Sequence, residues 1–226
     1  MASAAAATSG ARVRRNNNHN KHNNERPILI SPRFVAAEPT TLVFKEKRTG
    51  DSKNVRDASG DVAFEVDPRH LTLSKRRILK DEKGVPVGQM RQPRTQISDT
   101  KWYFGIPGNP GVDKRGNIQH KGPGAPDPDH VHAEIFLSPQ FALGGMEDHL
   151  IGKVEGNWRS RECRISVFRE SARVVRGAGV PEAADSYLVE VAAGMDVAFV
   201  TMIVLALNEI YSGDDEGDDE ETLLME

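Results

Sequence analysis

The segment that constrains this chain most is MDVAFVTMIVLALNEIY, Met195 to Tyr211. Set at 100° per residue, Val197, Phe199, Val200, Met202, Ile203, Val204, Leu205 and Leu207 leave no gap wider than about 80° around a helical wheel. A helix that is apolar on every side must either cross a bilayer or be surrounded by protein. Length decides between them. Val197 to Leu207 spans about 16 Å, against the roughly 30 Å of a hydrocarbon core. Extending the helix to Met195 and Tyr211 reaches only about 25 Å, and it places Asp196, Asn208 and Glu209 in the hydrocarbon. Enclosure by protein is therefore expected. Burying about ten large apolar side chains at ~1.5–3 kcal/mol each favours it by roughly 15–30 kcal/mol before chain entropy is counted. Gly194 and Asp196 suit the start of such a helix, Asp196 facing the positive end of its dipole, and Gly213 suits its end.

The container has to come from the rest of the chain, which reads as short Val-, Ile- and Phe-rich strands. They are expected at Leu42–Lys47, Val62–Val66, Arg77–Lys80, Val85–Met90, Lys101–Ile106, His132–Ser138, Leu150–Glu155, Cys163–Arg169, Ala172–Arg176 and Ser186–Val191. Asp57-Ala58-Ser59-Gly60 before Val62 and Asp81-Glu82-Lys83-Gly84 before Val85 share one frame. In both, Asp opens a turn and Gly is free to take positive φ at its end, the chemistry of consecutive hairpins in a meander. Strands that curl around one helix form a closed antiparallel β-barrel, so the fold class is mainly β. Residues 107–130, with five Gly and five Pro, keep neither helix period nor strand alternation and are expected as one long loop. Its Lys114, Arg115, His120 and Lys121 offer some positive charge to an anionic partner, though a solvated insertion is the simpler reading.

Charge is divided along the chain. Residues 1–27 carry Arg12, Arg14, Arg15, Lys21 and Arg26 against Glu25, a net +4, while residues 212–226 hold eight carboxylates and no base, a net −8. The whole chain is −3, so the body 28–211 is +1. Nothing in that balance points to nucleic acid. The two end segments are too polar to order themselves and are expected as disordered tails. The acidic tail invites a second reading, as an intramolecular shield over a basic patch of the barrel. A single cysteine, Cys163, excludes an internal disulfide and suits a reducing compartment, cytoplasmic or nuclear. The acid-free first 24 residues share their composition with organellar transit peptides, but the Asn/His run from Asn16 to Asn24 reads more simply as a solvated tail. No secretory, lipidation or transmembrane signal is visible.

The residues also resemble a known family. Ile30-Ser31-Pro32-Arg33-Phe34, Asp57-Ala58-Ser59-Gly60 with Val62-Ala63-Phe64-Glu65-Val66, Gly156-Asn157-Trp158 with Cys163, Val189-Glu190-Val191 and Met195-Asp196-Val197-Ala198-Phe199-Val200 resemble the plant LURP-one-related proteins. These belong to the tubby C-terminal-like superfamily, together with phospholipid scramblases. The resemblance covers roughly 28–211. It implies a barrel of about twelve strands threaded by a hydrophobic helix. It also implies a phospholipid-associated or membrane-tethered regulator, in a family with a member linked to pathogen defence, and no enzymatic activity or cofactor. The Gly/Pro stretch, both tails and the polar run Asp51 to Arg56 depart from the family pattern.

Candidate sites follow from chemistry. Arg159, Arg161, Arg164, Arg169, Arg173 and Arg176 form the densest basic stretch, and guanidinium forks suit the phosphates of an acidic phospholipid headgroup. Arg159, Arg161, Arg169 and Arg173 share odd positions, whereas Arg164 and Arg176 are even, so alternation is expected to divide them between faces. Arg76 and Arg77, with Lys75 and Lys80, form a second basic candidate; each group also reads as ordinary solvated surface. His130 and His132 have strand spacing for metal ligation, but Asp127 and Asp129 do not complete a convincing set. Cys163 lacks a catalytic partner and is expected in the barrel wall. Trp102 and Trp158 are expected to pack in strands or at the barrel rim. No GxSxG, Walker A, HExxH or GxGxxG motif occurs, which leaves hydrolase, nucleotide and dinucleotide readings without support. Besides lipid association, a protein-interaction or transcription-associated scaffold using the loop and tails remains open.

Overall fold

A computed structural model describes residues 30–45, 53–69, 75–92, 100–108, 114–141, 146–176 and 186–211. The tails 1–27 and 212–226, and Gly213 as a helix stop, lie outside the described residues.

Twelve strands run in chain order: β1 (Thr40–Lys45), β2 (Lys53–Asp57), β3 (Val62–Arg69), β4 (Arg76–Asp81), β5 (Pro86–Arg91), β6 (Lys101–Gly105), β7 (Lys114–His120), β8 (Val131–Leu137), β9 (His149–Asn157), β10 (Glu162–Val167), β11 (Glu170–Arg176) and β12 (Ser186–Val191). Each pairs antiparallel with its sequence neighbours, and β12 closes on β1 with Thr40 opposite Val191, so the sheet is an up-and-down barrel without an edge. Both expected hairpin turns form. Asp57 Oδ1 accepts from the Ser59 and Asp61 amides at 2.8 and 3.0 Å, and Asp81 Oδ1 accepts from those of Lys83 and Val85 at 3.0 and 2.9 Å. Gly60 and Gly84 take φ of 88° and 74°, where a side chain would be strained.

Inside lies α1 (Val197–Tyr211). Phe199, Val200, Met202, Ile203, Val204, Leu205 and Leu207 are all buried, as are Ala198, Thr201, Ala206, Ile210 and Tyr211, and Val197 is half-buried in the first turn. The wheel's demand for enclosure is met by the inward residues of the wall, among them Leu42, Phe64, Met90, Trp102, Ile135, Val154, Ile165 and Val189. No described helix is long and apolar enough to cross a membrane. Asp196 caps the helix, its Oδ1 accepting from Phe199 N at 3.1 Å.

Two strands correct the sequence reading. The stretch 107–130 is not one loop, because β7 runs through it. Gly116, which looks like a strand breaker, is required there: a Cβ would collide with the Phe104 ring and the Phe136 carbonyl. β2 occupies the polar run before Asp57, where Val55 points into the core. Boundaries also move. β10 ends at Val167 instead of Arg169, since Phe168 and Arg169 form a two-residue turn into Glu170, and Val85 belongs to the turn before β5. Residues 46 and 47, expected at the end of β1, lie outside the described residues.

Candidate phospholipid-facing surface

Strand alternation gives the barrel two rims. The turns at 57–61, 81–85 and 168–169 lie with the start of α1 at one, called here the upper rim. The connections 121–130 and 158–161 lie with Tyr211 at the other, the lower rim. The candidate arginines do not converge. Arg76, Arg77, Arg159 and Arg161 belong to the lower rim, Arg169 to the upper rim, and Arg173 to the outer wall between them.

At the lower rim these side chains are occupied by the barrel itself. Arg77 points inward, with Nε and Nη2 at 3.0 and 2.9 Å from Oε1 of Glu209 in the last turn of α1. Arg161, in a left-handed conformation at φ 61°, lays its guanidinium over the Trp158 and Tyr187 rings at 4.7 and 4.6 Å from their centroids. Burial there pulls its pKa below the ordinary arginine value. Arg76 donates to Gln89 Oε1 at 2.7 Å, and Arg159 Nε lies 3.4 Å from Asp129. Lys80 lies 3.2 Å from Asp67. Sequence reasoning missed that Arg76 stands in register with Arg69 on β3 and Arg91 on β5. Counting outward from the Asp81 turn would have suggested it, but for the bulge between Leu79 and Lys80.

On the outer wall Arg164 and Arg173 are direct cross-strand partners. The parity argument fails here, because the turn pairs Val167 with Glu170, so an even position on β10 faces an odd one on β11. Glu155 stands opposite Arg164, and Glu190 opposite Arg173. Carboxylates therefore bracket the pair and lower its local positive potential.

The upper rim differs along its circumference. Asp57, Asp61, Asp81 and Glu82 make the β2–β5 side acidic, with Arg33 bound to Asp81 and Glu82 at 2.8 and 2.9 Å. The β7–β11 side carries Lys114, Arg115 and Arg169. Lys114 Nζ sits 3.9 Å from the Tyr103 ring centroid, Arg115 lies over Phe141, and Arg169 is exposed. The same side also carries Glu147, Asp148 and Glu170, of which Asp148 is held by Asn117 at 2.8 Å.

The first and last described residues are pinned at opposite rims. Asp196 Oδ2 accepts from the amides of Ile30 and Ser31 at 2.8 and 3.2 Å, which fixes the N-terminal segment to the start of α1. Burial pushes the Asp196 carboxyl above its ordinary pKa, although these amides and that of Phe199 oppose the shift. At the lower rim the Tyr211 hydroxyl donates to the His132 carbonyl at 3.2 Å and lies 2.9 Å from His120 Nδ1.

The other candidates take structural positions. Burial pushes the Cys163 thiol up to about 11, against the neighbouring Arg161. His130 Nδ1 pairs with Asp127 at 2.9 Å, and among the described residues no three His, Cys, Asp or Glu side chains gather as a metal-binding group. Trp102 is buried in β6, and Trp158 is buried where β9 turns into β10.

This architecture has relatives. The chain is 23% identical over 204 residues to Protein LURP-one-related 10 of Arabidopsis thaliana, covering 83% of this chain and 98% of the relative. It is 21% identical over 206 residues to Protein LURP-one-related 15 of the same plant, covering 83% and 87%. The X-ray structure of an Arabidopsis thaliana protein superposes with a TM-score of 0.61 at 18% identity, over 82% of this chain and 99% of that one, a likeness of fold. A family model described as LURP-one-related matches residues 40–208, from the first strand into the last turns of the enclosed helix. With the barrel, its central helix and three quarters of the sequence in agreement, the chain belongs to the LURP-one-related family.

Proposed function

We propose that the protein is a non-enzymatic regulator that associates with acidic phospholipid at a membrane surface, upper rim first. The observation that carries this reading is charge polarity along the barrel axis. The segment with net +4 joins the barrel through Ile30 at the upper rim, the rim that also carries Lys114, Arg115 and Arg169; the segment with net −8 leaves at the lower rim after Tyr211. Strands of five to nine residues separate the two rims by about 15–30 Å, two Debye lengths or more in physiological salt. In this orientation the rim from which the acidic segment departs is the one turned away from the membrane, while each upper-rim cation near the surface adds attraction. The defence-related consequence implied by the family resemblance would follow from recruitment, not from catalysis.

Sedimentation of the intact protein with vesicles tests it. Binding is expected to phosphatidylcholine vesicles containing phosphatidylserine or a phosphoinositide, weakening with salt, and not to phosphatidylcholine alone. Removing residues 1–27 is expected to weaken it severalfold and removing 212–226 to change it little. Equal binding to both vesicle types, or none at modest salt, rejects the reading.

A further inference from the structure

Among the described residues, the exposed large apolar side chains are Val35, Val85, Phe141, Met146, Leu150 and Phe168. All six sit in or beside an upper-rim connection, and none belongs to the lower rim. The Phe168 amide donates to the Ile151 carbonyl at 2.9 Å, which ties the β10–β11 turn to the start of β9, where Leu150 is the preceding residue; Leu150 and Phe168 flank this backbone contact and are called here a ridge. Phe168 is 44% and Leu150 57% exposed, so a large part of each side chain is left outside the packing of the barrel.

The backbone makes Phe168 harder to explain as a mere turn residue. Its φ is 54°, in the left-handed region that glycine and asparagine occupy readily and bulky residues avoid. A strained aromatic with an exposed ring points to use outside the fold. Arg169 follows it in the same turn and is exposed, so a cation accompanies the apolar tip.

We propose that the ridge of Leu150 and Phe168 inserts between the headgroups of an acidic phospholipid bilayer, with Arg169 on the lipid phosphates. Apolar side chains at a rim, flanked by a cation that remains at headgroup level, match the layered polarity of that interface. This rests on the membrane reading above and adds to it a salt-insensitive component of binding and a fixed orientation of the barrel.

The test uses the full chain and vesicles of phosphatidylcholine with phosphatidylserine, at low salt and at about 0.5 M salt, where charge attraction is largely screened. The wild type is expected to keep part of its binding in high salt. A Phe168→Asn, Leu150→Ser double variant is expected to bind roughly tenfold more weakly. Phe168→Asn alone is expected to raise Tm, because it relieves the strained backbone, which separates lost binding from lost folding. In Phe168→Trp the introduced indole is expected to be quenched by acyl-brominated lipid, whereas the buried Trp102 and Trp158 are not. If the wild type sediments but the double variant binds equally and the indole is unquenched, insertion is overturned and headgroup association stands. If the wild type does not sediment, both fall. A change of oligomeric state with unchanged vesicle binding would make the ridge a protein-docking surface and would also overturn the proposal.

Discussion

The two rims of the barrel use the same kinds of residue for opposite purposes. At the lower rim, Arg77, His120 and Tyr211 fasten the end of α1, and Arg161 is laid over the Trp158 and Tyr187 rings of the wall. At the upper rim, Phe168, Leu150 and Arg169 face solvent, while Asp196 works inward. The difference teaches that cationic residue type does not identify a ligand surface. What matters is whether the fold already supplies the counter-charge or ring, because a guanidinium seated on Glu209 or between two aromatic rings has little left to offer a phosphate.

The comparison is tested first where the upper rim is as tightly tied as the lower. Asp196→Ala removes the helix cap and leaves the amides of Ile30 and Ser31 without their acceptor. A loss of about 2–3 kcal/mol is expected from a cap together with a buried unsatisfied donor, read as urea midpoint and Tm. An unchanged midpoint would mean that residues 30–36 are held by other contacts, such as Ala36 N to the Met195 carbonyl at 2.9 Å. At the lower rim Arg77→Ala leaves Glu209 half-buried and unpaired, and about 1–2 kcal/mol is expected. Charge reversal of both partners, Arg77→Glu with Glu209→Arg, should recover part of that loss if the pair acts as a clamp.

The lower rim should also be the more sensitive to acid. Tyr211 gives its proton to the His132 carbonyl, so His120 donates from Nδ1, leaving Nε2 buried with no hydrogen-bond partner among the described residues. Burial, with the nearby His132, holds the His120 pKa below 6.5. The folded state thus takes up the proton less readily than the unfolded chain. The stabilisation is present above about pH 6.5 and is lost as pH falls from there toward the folded value. Tm is expected to drop between pH 7 and 5, and His120→Gln to flatten that slope. Asp196, with its carboxyl pKa raised by burial, acts with the opposite sign at lower pH. A slope that persists in the His120 variant would assign the acid sensitivity elsewhere.

The enclosed helix was legible in the sequence because its apolar residues surround the wheel and its length fails the membrane. The hairpin turns were legible because Asp and Gly must occupy fixed places in them. β2 and β7 were not, since a wall strand around a helix needs only every second residue inside. In β2 Val55 faces the core, and in β7 Gly116 yields its space to the Phe104 ring, so each looks like a loop. The surface was the least legible part. Arginines close in sequence end on different rims, while the turn that carries Phe168 is tied to Ile151, next to Leu150, through a register that local periodicity does not encode.

The smallest expected effect sharpens the comparison most. Arg169→Ala alters an exposed turn side chain, and a stability change within about 0.5 kcal/mol is expected. Arg77→Ala, the same chemical truncation on the opposite rim, is expected to cost several times more. Vesicle binding should rank the two in reverse. Arg169 would contribute about 1 kcal/mol of attraction to an acidic surface, a several-fold change in affinity at low salt that vanishes at high salt. Arg77, already neutralised by Glu209 inside the barrel, would contribute little. Measured together by urea denaturation and vesicle sedimentation, the two variants should therefore cross over. If both lose stability and binding in proportion, fold and membrane contact share the same cations, and the division of labour between the rims is wrong.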